Sequence, residues 1–592
     1  MKMMTVMRMS ARRILMDPKE YLFGFLLLQS IRWTIGLPLI SFLFYTMLNT
    51  AGLVSMTNTN IVQLFASPFS IAILLILLFF FTFFAFYEFG YYFLIAKYQR
   101  SRQAFTFRTI LKELNAKVPK FFSVHFILFT IYLGLLLPIA SLGMSTSWTE
   151  ALQIPNFITD ELANTMGGKI ALGIGLVIVI YLNARFVFTV LYFSTEREAS
   201  MRDAIKRSWQ HSRGKVTRIV TSLSTIVLTF SLTAAIVMTI MITPLFIGES
   251  YFEMNLPIIA GITLTVLQGV FFLTSALLQP MLTEALTVIE RGEEAIAKET
   301  SYRKTVGLYA KRFWPILTLA FIVFAFLNTN TLKETVYQPI TKIVAHRGYS
   351  AVALENTLAG LEAAAKAGAD MVEMDIQETK DGKFVVYHDK TLRRLTGDSR
   401  AVGDLTLDEL TEMTLSDGRF TEPLPAFEDY IDKAKELDIR LLVETKTYGH
   451  ESPEMEENLV KLLHEKDVAY DYVVQSLDLA HLRKLEKIDP LIPTSDVIAL
   501  NVGRLPKTDA QFLSLEDFSV TSKLVKAANQ QDKKIFVWTV NKEDLMHTHM
   551  RSGVYGLITN HVTSAVKVRN VYEEEQGMLE RLKMLIDENK SF

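Results

Sequence analysis

The feature that most constrains this chain is a run of 55 residues without a charged side chain, between Arg32 and Glu88. A bilayer core is crossed by about 20 apolar residues in helical conformation, so this run is long enough for two transmembrane helices. The polar residues 49–60, rich in Thr, Asn and Gly, form the predicted turn between them. Further apolar stretches follow as far as Asn328, and together they predict about seven transmembrane helices in a membrane domain at residues 1–330.

Charge in the predicted loops indicates how the spans are oriented. Short cytoplasmic loops are enriched in Lys and Arg. Lys and Arg number 5, 7, 7 and 6 in the segments 1–20, 97–120, 194–218 and 289–312. They are absent from the alternate segments 49–60, 145–168 and 248–255. We therefore predict a multi-pass protein of the cell membrane with a cytoplasmic N-terminus and, after an odd number of spans, an extracellular C-terminal half.

Composition excludes several classes of protein. The chain has 61 basic and 62 acidic residues, a balance that argues against nucleic-acid binding. It has no cysteine, which excludes disulfides, thiolate zinc sites and cysteine nucleophiles.

Glu88 and Arg185 are ionisable groups at membrane depth, where charge is costly. They are either functional groups or structural ones that snorkel or pair with each other.

The pattern changes after a linker predicted at residues 331–341. Over residues 342–566, short runs rich in Val and Ile alternate with helices of apolar periodicity, which is typical of a (β/α)₈ TIM barrel. The expected strands are 343–345, 371–376, 384–387, 440–443, 472–474, 494–499, 519–520, 535–540 and 556–558. Residues 567–592 are expected to form a charged, solvated C-terminal helix or tail, and His547 and His549 are expected at the surface.

Polar residues lie at the C-terminal ends of most of these strands, and in a TIM barrel those strand ends form the active-site face. They are His346, Arg347, Glu373, Asp375, His388, Asp389, Glu444, Lys446, Gln475, Ser476, Trp538 and Asn541. Glu373 and Asp375, two residues apart, point to the same face of a strand. Together with Glu444 they form a hard oxygen site that suits Ca²⁺ or Mg²⁺. Arg347 and Lys446 beside it favour an anion, most simply phosphate.

Several short motifs follow one another along this half of the chain. HRG, ENT, E-x-D, DG and VVYHD occur between His346 and Asp389, followed by VETK, QS, WTVN and GLIT. In order and spacing they resemble the motifs of the glycerophosphodiester phosphodiesterase family, from Lys342 to about Thr563. The general layout of the N-terminal half resembles the membrane-domain class of that family found in Gram-positive bacteria.

The resemblance implies a role for each matching position. It implies that His346 and His388 are the general acid/base pair, and that Glu373, Asp375 and Glu444 bind a divalent metal ion. It also implies that Arg347 and Lys446 contact phosphate, that Glu355 supports the metal shell or the glycerol hydroxyls, and that Trp538 forms a pocket wall. Asn560 and His561 depart from the family, which commonly has Asp and Pro there, and this puts substrate selection or local stability in question.

We therefore expect an enzyme, a membrane-integral phosphodiesterase that hydrolyses glycerophosphodiesters to glycerol 3-phosphate and an alcohol. Free glycerophosphodiesters, teichoic-acid-like polymers and lipid head groups are all compatible substrates. The alternatives are a phospholipase acting on intact lipid head groups, a lipid-handling or transport protein with an accessory barrel, and a binding protein with an inactive barrel. The sequence leaves open the oligomeric state, the preferred metal and which histidine is the acid.

Overall fold

The computed structural model of the chain describes residues 3–58, 60–101, 103–136, 166–252, 256–292, 306–334, 341–573 and 577–590. The chain divides into two compact units. The first comprises Met1–Gly52 and Gln63–Glu334, and the second comprises Leu53–Val62 and Thr335–Phe592. The division after Glu334 falls inside the predicted linker. The short loop 53–62, however, belongs with the C-terminal half, which the sequence did not predict.

The first unit is helical, because a helix satisfies the backbone hydrogen bonds of an apolar segment without help from water. Its helices are α1 (Met3–Ile14), α2 (Pro18–Ile31), α3 (Leu37–Thr50), α4 (Pro68–Ser101), α5 (Phe107–Asn115), α6 (Val124–Leu136), α7 (Met166–Phe186), α8 (Thr189–Thr195), α9 (Met201–His211), α10 (Val216–Phe252), α11 (Pro257–Arg291) and α12 (Val306–Glu334).

Six helical stretches among the described residues are long and apolar enough to cross a bilayer. They are Pro18–Thr50, Pro68–Ser101, Met166–Thr195, Val216–Tyr251, Pro257–Arg291 and Trp314–Lys333. A pair bent by 102°, Phe107–Phe122 with Val124–Gly134, makes a seventh if it counts as one span. Part of the third predicted span, at residues 126–144, lies outside the described residues.

Buried charges in the first unit have identifiable partners. Arg185 donates to Ser212 Oγ at 3.0 Å and to the Tyr181 hydroxyl at 2.8 Å, and its guanidinium lies 3.9 Å from the ring centroid of Trp209. It does not pair with Glu88, so that alternative is wrong, and its contacts are those of a structural residue. A second buried pair, Arg13 with Glu284 at 3.2 Å, was not anticipated from the sequence.

The second unit contains the closed barrel that the sequence predicts. Its eight parallel strands are β2 (Lys342–Ala345), β3 (Met371–Glu378), β7 (Arg440–Thr445), β8 (Val473–Ser476), β9 (Thr494–Ile498), β11 (Phe512–Glu516), β12 (Lys534–Trp538) and β13 (Gly556–Thr559). They follow the order β2-β13-β12-β11-β9-β8-β7-β3, and pairing of β2 with β3 closes the ring. The strand expected at 519–520 is wrong: Ser519 ends a 3₁₀ turn (Asp517–Ser519), and β11 precedes it.

Five short strands lie outside the ring. They are β1 (Ser55–Thr57), β4 (Phe384–Val386), β5 (Thr414–Ser416), β6 (Thr421–Pro423) and β10 (Asn501–Gly503). β4 is antiparallel to β3, β5 pairs with β6, and β1 pairs with β10. The last pairing incorporates the loop between α3 and α4 into the second unit.

Helices cover the outside of the barrel. They are α13 (Leu358–Lys366), α14 (Arg393–Thr396), α15 (Leu407–Thr411), α16 (Phe427–Glu436), α17 (Met455–Glu465), α18 (Leu479–Ile488), α19 (Ser522–Asn529), α20 (Glu543–Ser552), α21 (Val562–Glu573) and α22 (Met578–Lys590). The C-terminal helices are packed rather than fully solvated, since Tyr572, Met578 and Leu582 are buried. His549 is also buried, where it bonds Asp517, so the expected surface position is wrong.

Candidate active site

The barrel interior changes from apolar to polar at one level along the strands. An apolar cluster fills its lower part: Val344, Met371, Leu442, Val473, Phe512, Phe536 and Ile558. Side chains two residues apart on a strand share a face. Two residues after each member of the cluster stand His346, Glu373, Glu444, Gln475, Ser514, Trp538 and Asn560. The site is therefore the next layer of the barrel interior, on the C-terminal side where TIM-barrel active sites lie.

Three carboxylates of this region converge on one point. Glu373, Asp375 and Glu444 are buried, and each offers an oxygen within 4.8 Å of the others. The parallel pairing of β3 with β7 sets Asp375 directly beside Glu444. Asn356 fixes Asp375 by donating its side-chain amide to Oδ2 at 2.8 Å and accepting from the Asp375 backbone at 3.1 Å. Gln475 donates to Glu444 at 3.1 Å.

Two cations border the carboxylates. Lys446 Nζ lies 3.1 Å from Asp375 Oδ1 and also bonds Glu444. Arg347 Nε lies 3.4 Å from Asp375 Oδ2. Burial by itself would raise the pKa of Asp375, but Lys446, His388 and Arg347 hold that pKa below its usual range. Burial, followed by the charges of Asp375 and Glu444, raises the pKa of Glu373 well above its usual range.

The donor set fits a hard divalent cation. Such ions prefer several carboxylate oxygens, and a bound cation would offset the repulsion that otherwise favours the protonated form of Glu373. The buried acidic cluster therefore offers a place for one such ion. The cluster does not distinguish Ca²⁺ from Mg²⁺.

The turn after β2 brings His346 and Arg347 to the mouth. Arg347 has a φ of 54° and Gly348 a φ of 79°. A Cβ on Gly348 would lie 2.9 Å from the backbone of Gly360, so only glycine fits this turn. The Arg347 amide donates to Glu373 Oε2 at 2.9 Å. The HRG motif is therefore hydrogen-bonded to one of the three converging carboxylates.

His346 is oriented by the residue that departs from the family pattern. Its Nδ1 lies 2.7 Å from Asn560 Oδ1, which also accepts from Ser350 at 3.0 Å. An amide oxygen only accepts, so this contact favours the tautomer with the proton on Nδ1 and a free lone pair on Nε2. Nε2 lies 3.9 Å from Glu373 Oε2. Burial and the adjacent Arg347 lower the pKa of His346 to about 3.

His388 is oriented by a carboxylate instead. Its Nδ1 lies 2.8 Å from Asp389 Oδ1, and Asp389 accepts from Arg394 Nε at 2.6 Å. Arg394 also bonds Glu355, at 2.6 Å and 3.0 Å. The Tyr448 hydroxyl donates to the backbone oxygen of His388 at 2.7 Å. Both imidazoles are thus held through Nδ1, but by partners of different charge.

Two further residues named from the sequence have clear positions. Glu355 lies 3.3 Å from Arg347 and pairs with Arg394, so its described contacts are with cations at the mouth rather than with the carboxylate cluster. Trp538 points into the barrel above Phe536, and its indole N–H donates to the Ser514 backbone at 3.0 Å. Its half-exposed ring can line the pocket.

Sequence reasoning missed two supporting residues. Asn356 lies in the ENT motif, but only Glu355 was singled out there. A φ of 57° at Asn356, in a region that Asn tolerates better than most residues, turns its amide toward Asp375. Arg394 lies on a short helix after β4, and the signal that could have found it was a basic residue following a His-Asp pair.

The fold and the polar residues at the barrel mouth together define the class of the protein, which is a membrane-integral TIM-barrel hydrolase. Residues 7–327 match the family described as the membrane domain of glycerophosphoryl diester phosphodiesterase, and residues 346–564 match the glycerophosphoryl diester phosphodiesterase family. The first match covers more than half of the chain. The protein therefore belongs to the glycerophosphodiester phosphodiesterases with a membrane domain, and it is an enzyme of that family.

Individual relatives cover the barrel half. A putative glycerophosphodiester phosphodiesterase of Bacillus subtilis is 32% identical over 239 residues, 38% of this chain and 96% of the relative. The glycerophosphodiester phosphodiesterase of Caldanaerobacter subterraneus is 29% identical over 37% of this chain and 94% of its own. A crystal structure of a putative glycerophosphoryl diester phosphodiesterase from Silicibacter pomeroyi covers 42% of this chain and 99% of its own, at 23% identity and a TM-score of 0.37.

Proposed function

We propose that this chain hydrolyses glycerophosphodiesters to glycerol 3-phosphate and an alcohol on the extracellular face of the membrane, by metal-assisted acid/base catalysis through His346 and His388. The observation that carries the proposal is the convergence of Glu373, Asp375 and Glu444 beside two imidazoles at the mouth of one barrel. Water adds a hydroxyl to phosphorus overall, and its remaining proton leaves with the alcohol.

The carboxylates would hold a Ca²⁺ or Mg²⁺ ion, which supplies charge neutralisation at the phosphate and helps to orient a hydroxyl. Arg347 and Lys446 border the same point and are suited to the remaining phosphate oxygens. The Trp538 ring offers an apolar wall for the glycerol carbons. These assignments rest on the positive charges of Arg347 and Lys446 and on the partial exposure of the Trp538 ring.

The partners of the two histidines favour a division of labour. The partner of His388 Nδ1 is the carboxylate of Asp389, whereas the partner of His346 Nδ1 is the neutral amide of Asn560. We therefore assign His346 as the base that accepts the proton of the attacking hydroxyl. His388 is the acid that protonates the departing alcohol. The attacking hydroxyl is the glycerol 2-hydroxyl, which gives a cyclic phosphate that water then opens with the roles reversed.

An extracellular site is supported by the distribution of basic residues. The four basic segments hold all 25 Lys and Arg counted in the seven loop segments, and the three segments that alternate with them hold none. Short loops with this bias remain in the cytoplasm.

The test is an assay of the full-length chain in lipid nanodiscs with a soluble glycerophosphodiester, a glycerophosphate polymer and a lipid head-group substrate. We expect glycerol 3-phosphate from at least one of them. Glu373→Gln, prepared identically, controls for contaminating phosphodiesterases and should be inactive. Equal release by Glu373→Gln, or release from none of the substrates, would contradict the proposed function.

A further inference from the structure

The helical unit contains a polar cavity of about 560 Å³ that the proposed catalysis does not use. It lies where α4 and α11 end and where α8 leads into α9, so three of the basic segments of the sequence contribute to it. Its charged lining comprises Lys97, Arg100, Glu196, Arg207, Glu290 and Arg291. A cavity of this volume is large enough for a small organic molecule.

Two of the four cations in the lining are neutralised by close partners. Lys97 Nζ lies 2.7 Å from a carboxylate oxygen of Glu113. Arg207 is paired with Glu196, and its guanidinium lies 4.8 Å from the ring centroid of Tyr192. Each of these pairs contributes no net charge to the cavity.

The other two cations share one carboxylate. Arg100 Nη1 and Arg291 Nε lie 3.8 Å and 3.9 Å from the same oxygen, Glu290 Oε2. Both distances are longer than a hydrogen bond. The other oxygen, Oε1, accepts from the Tyr192 hydroxyl at 3.2 Å. Two guanidinium groups beside one carboxylate leave one positive charge in excess at this point.

Arg100 differs from the other cations in its burial. Its side chain is 8% exposed, whereas those of the other three are between 35% and 50% exposed. Its Nε donates to the Ala96 carbonyl at 3.3 Å, and its other N–H groups have no hydrogen-bond partner among the residues that the structure describes. The enrichment of cytoplasmic loops in basic residues accounts for exposed cations, but a buried charge with unused donors is costly.

A structural ion pair that involves the same helix, α11, has a different geometry. Arg13 Nη1 donates to Glu284 Oε2 at 3.2 Å, and the Tyr21 hydroxyl donates to Glu284 Oε1 at 2.6 Å. Both oxygens of Glu284 therefore accept a hydrogen bond from a buried neighbour. At Glu290, in contrast, both guanidinium groups stay beyond hydrogen-bond distance, which suits a ligand that completes their bonding.

We propose that Arg100 and Arg291 bind the phosphate group of a phosphate ester in this cavity, and that the rest of the ligand occupies the remaining volume. Guanidinium groups bond phosphate oxygens through their forked donors, and a tetrahedral phosphate has enough oxygens to engage two arginines from different helices at once. The ester belongs to a soluble molecule or to a membrane lipid, since both present the same group. The site gives the membrane domain a role beyond anchoring, for which one span of about 20 residues suffices. It is independent of catalysis in the barrel.

The absence of native cysteine allows a reporter to be placed in the cavity lining. Ser101→Cys puts one exposed thiol next to Arg100. In the full-length chain in phosphatidylcholine nanodiscs, glycerol 2-phosphate should slow the reaction of this thiol with the neutral reagent N-ethylmaleimide. Sodium chloride at the same ionic strength should not slow it. Nanodiscs that also contain phosphatidic acid, whose head group is a phosphate monoester, test the lipid source without any soluble ester.

Variants in the same Ser101→Cys chain identify the residues that bind. Arg100→Gln and Arg291→Gln should each raise the Kd for protection about tenfold or more, because each removes a charged hydrogen-bond donor. Arg100→Lys keeps the charge without the forked donor and should bind with intermediate affinity. The matched control is Arg108→Gln, which removes an exposed arginine of the same basic segment outside the cavity lining and should leave the Kd unchanged.

The outcomes decide both the site and the source of its ligand. Protection by glycerol 2-phosphate or by phosphatidic acid that is weakened in both glutamine variants and kept in Arg108→Gln would support the site and identify the source. Because Arg291 is 43% exposed, its variant tests the proposal even if loss of the buried Arg100 disturbs folding. Protection by neither ester, equal protection by chloride, or full protection in Arg291→Gln would overturn the proposal.

Discussion

At the scale of single residues, the positions of the candidate site residues were more predictable than those of the residues that orient them. His346, His388 and the three carboxylates could be proposed because they lie at or near the ends of strands that short runs rich in Val and Ile predict. Asn356 and Arg394 could not, because each acts from a loop or short helix whose path is set by tertiary contacts rather than by periodicity. Asn560 was treated as a departure that put substrate selection or local stability in question, and in the structure it orients His346.

The roles of the two histidines can be separated by the leaving group. His346→Ala and His388→Ala should each lower kcat by about 10² to 10⁴ on a diester with an ordinary alcohol. A nitrophenolate leaves without a proton, so a nitrophenyl diester should restore most of the alcohol release by His388→Ala but not that by His346→Ala. The cyclic phosphate should then accumulate with His388→Ala, because its opening by water still needs His388 as the base. Comparing kcat of both variants on the two diesters checks this, and the double variant should lose less than the sum of the two effects.

Thermal unfolding of the same variants is the control for folding, since both imidazoles lie at the mouth. Normal turnover in either single variant, or unfolding of both, would assign the histidines a structural role. Rescue of His346→Ala instead of His388→Ala by the nitrophenyl diester would reverse the assignment of acid and base.

Asn560 gives a prediction that depends on one hydrogen bond. Asn560→Asp keeps an oxygen that can accept from His346 Nδ1, so kcat should change by less than about tenfold, well below the loss for a histidine variant. Asn560→Leu has a similar size but no acceptor, and it should lower kcat further. Steady-state kinetics of the two variants check this, and equal kcat in both would show that the contact has no influence on turnover.

At the scale of elements, the repeating strand and helix pattern predicted the barrel, whereas short strands outside it were not predicted. β11 was missed in favour of residues 519–520, because the five residues Phe512–Glu516 include two polar ones that face the barrel interior. β1 was predicted as part of a polar turn, and a strand of only three residues, Ser55, Met56 and Thr57, is too short to show a periodicity that would indicate it. Its pairing depends on β10, almost 450 residues away, which no local pattern encodes.

Two strands supply the proposed metal ligands, so removal of the metal should affect both stability and turnover. Chelation should abolish hydrolysis, and Ca²⁺ or Mg²⁺ should restore it. A cation that binds only the folded barrel adds about 2.7 kcal/mol of stability at a hundred times its dissociation constant, so the thermal unfolding temperature should rise on addition. Scanning calorimetry of the chelated and reconstituted chain measures this shift.

The matched variants are Glu373→Gln, Asp375→Asn and Glu444→Gln, each of which should reduce the stabilisation by metal. Glu465→Gln removes an exposed carboxylate at the end of α17 and should leave it unchanged. Full activity after thorough chelation, or an unfolding shift that persists in all three site variants, would remove these residues from the ligand role.

At the scale of the whole molecule, the pairing of β1 with β10 constrains the number of spans. The loop 53–62 and the barrel must lie on the same side of the membrane, so the chain between them crosses an even number of times. Five of the six apolar stretches lie between them, which is an odd number. We therefore expect the bent pair Phe107–Phe122 with Val124–Gly134 to belong to a further crossing, which would make seven spans, the number that the apolar pattern predicts.

The side of the membrane is the last prediction, and the absence of cysteine makes it measurable. Lys487→Cys places one thiol on an exposed position of the barrel, and Lys112→Cys places one on an exposed position of the basic loop 97–120. A membrane-impermeant maleimide should label Lys487→Cys in intact protoplasts, but label Lys112→Cys only after permeabilisation, because the loop is expected in the cytoplasm. Labelling of both after permeabilisation controls for accessibility. The reverse pattern would place the barrel in the cytoplasm. Because β1 is paired with the barrel strand β10, the uncharged loop 53–62 would then lie in the cytoplasm too. That placement would contradict the distribution of Lys and Arg between the predicted loops.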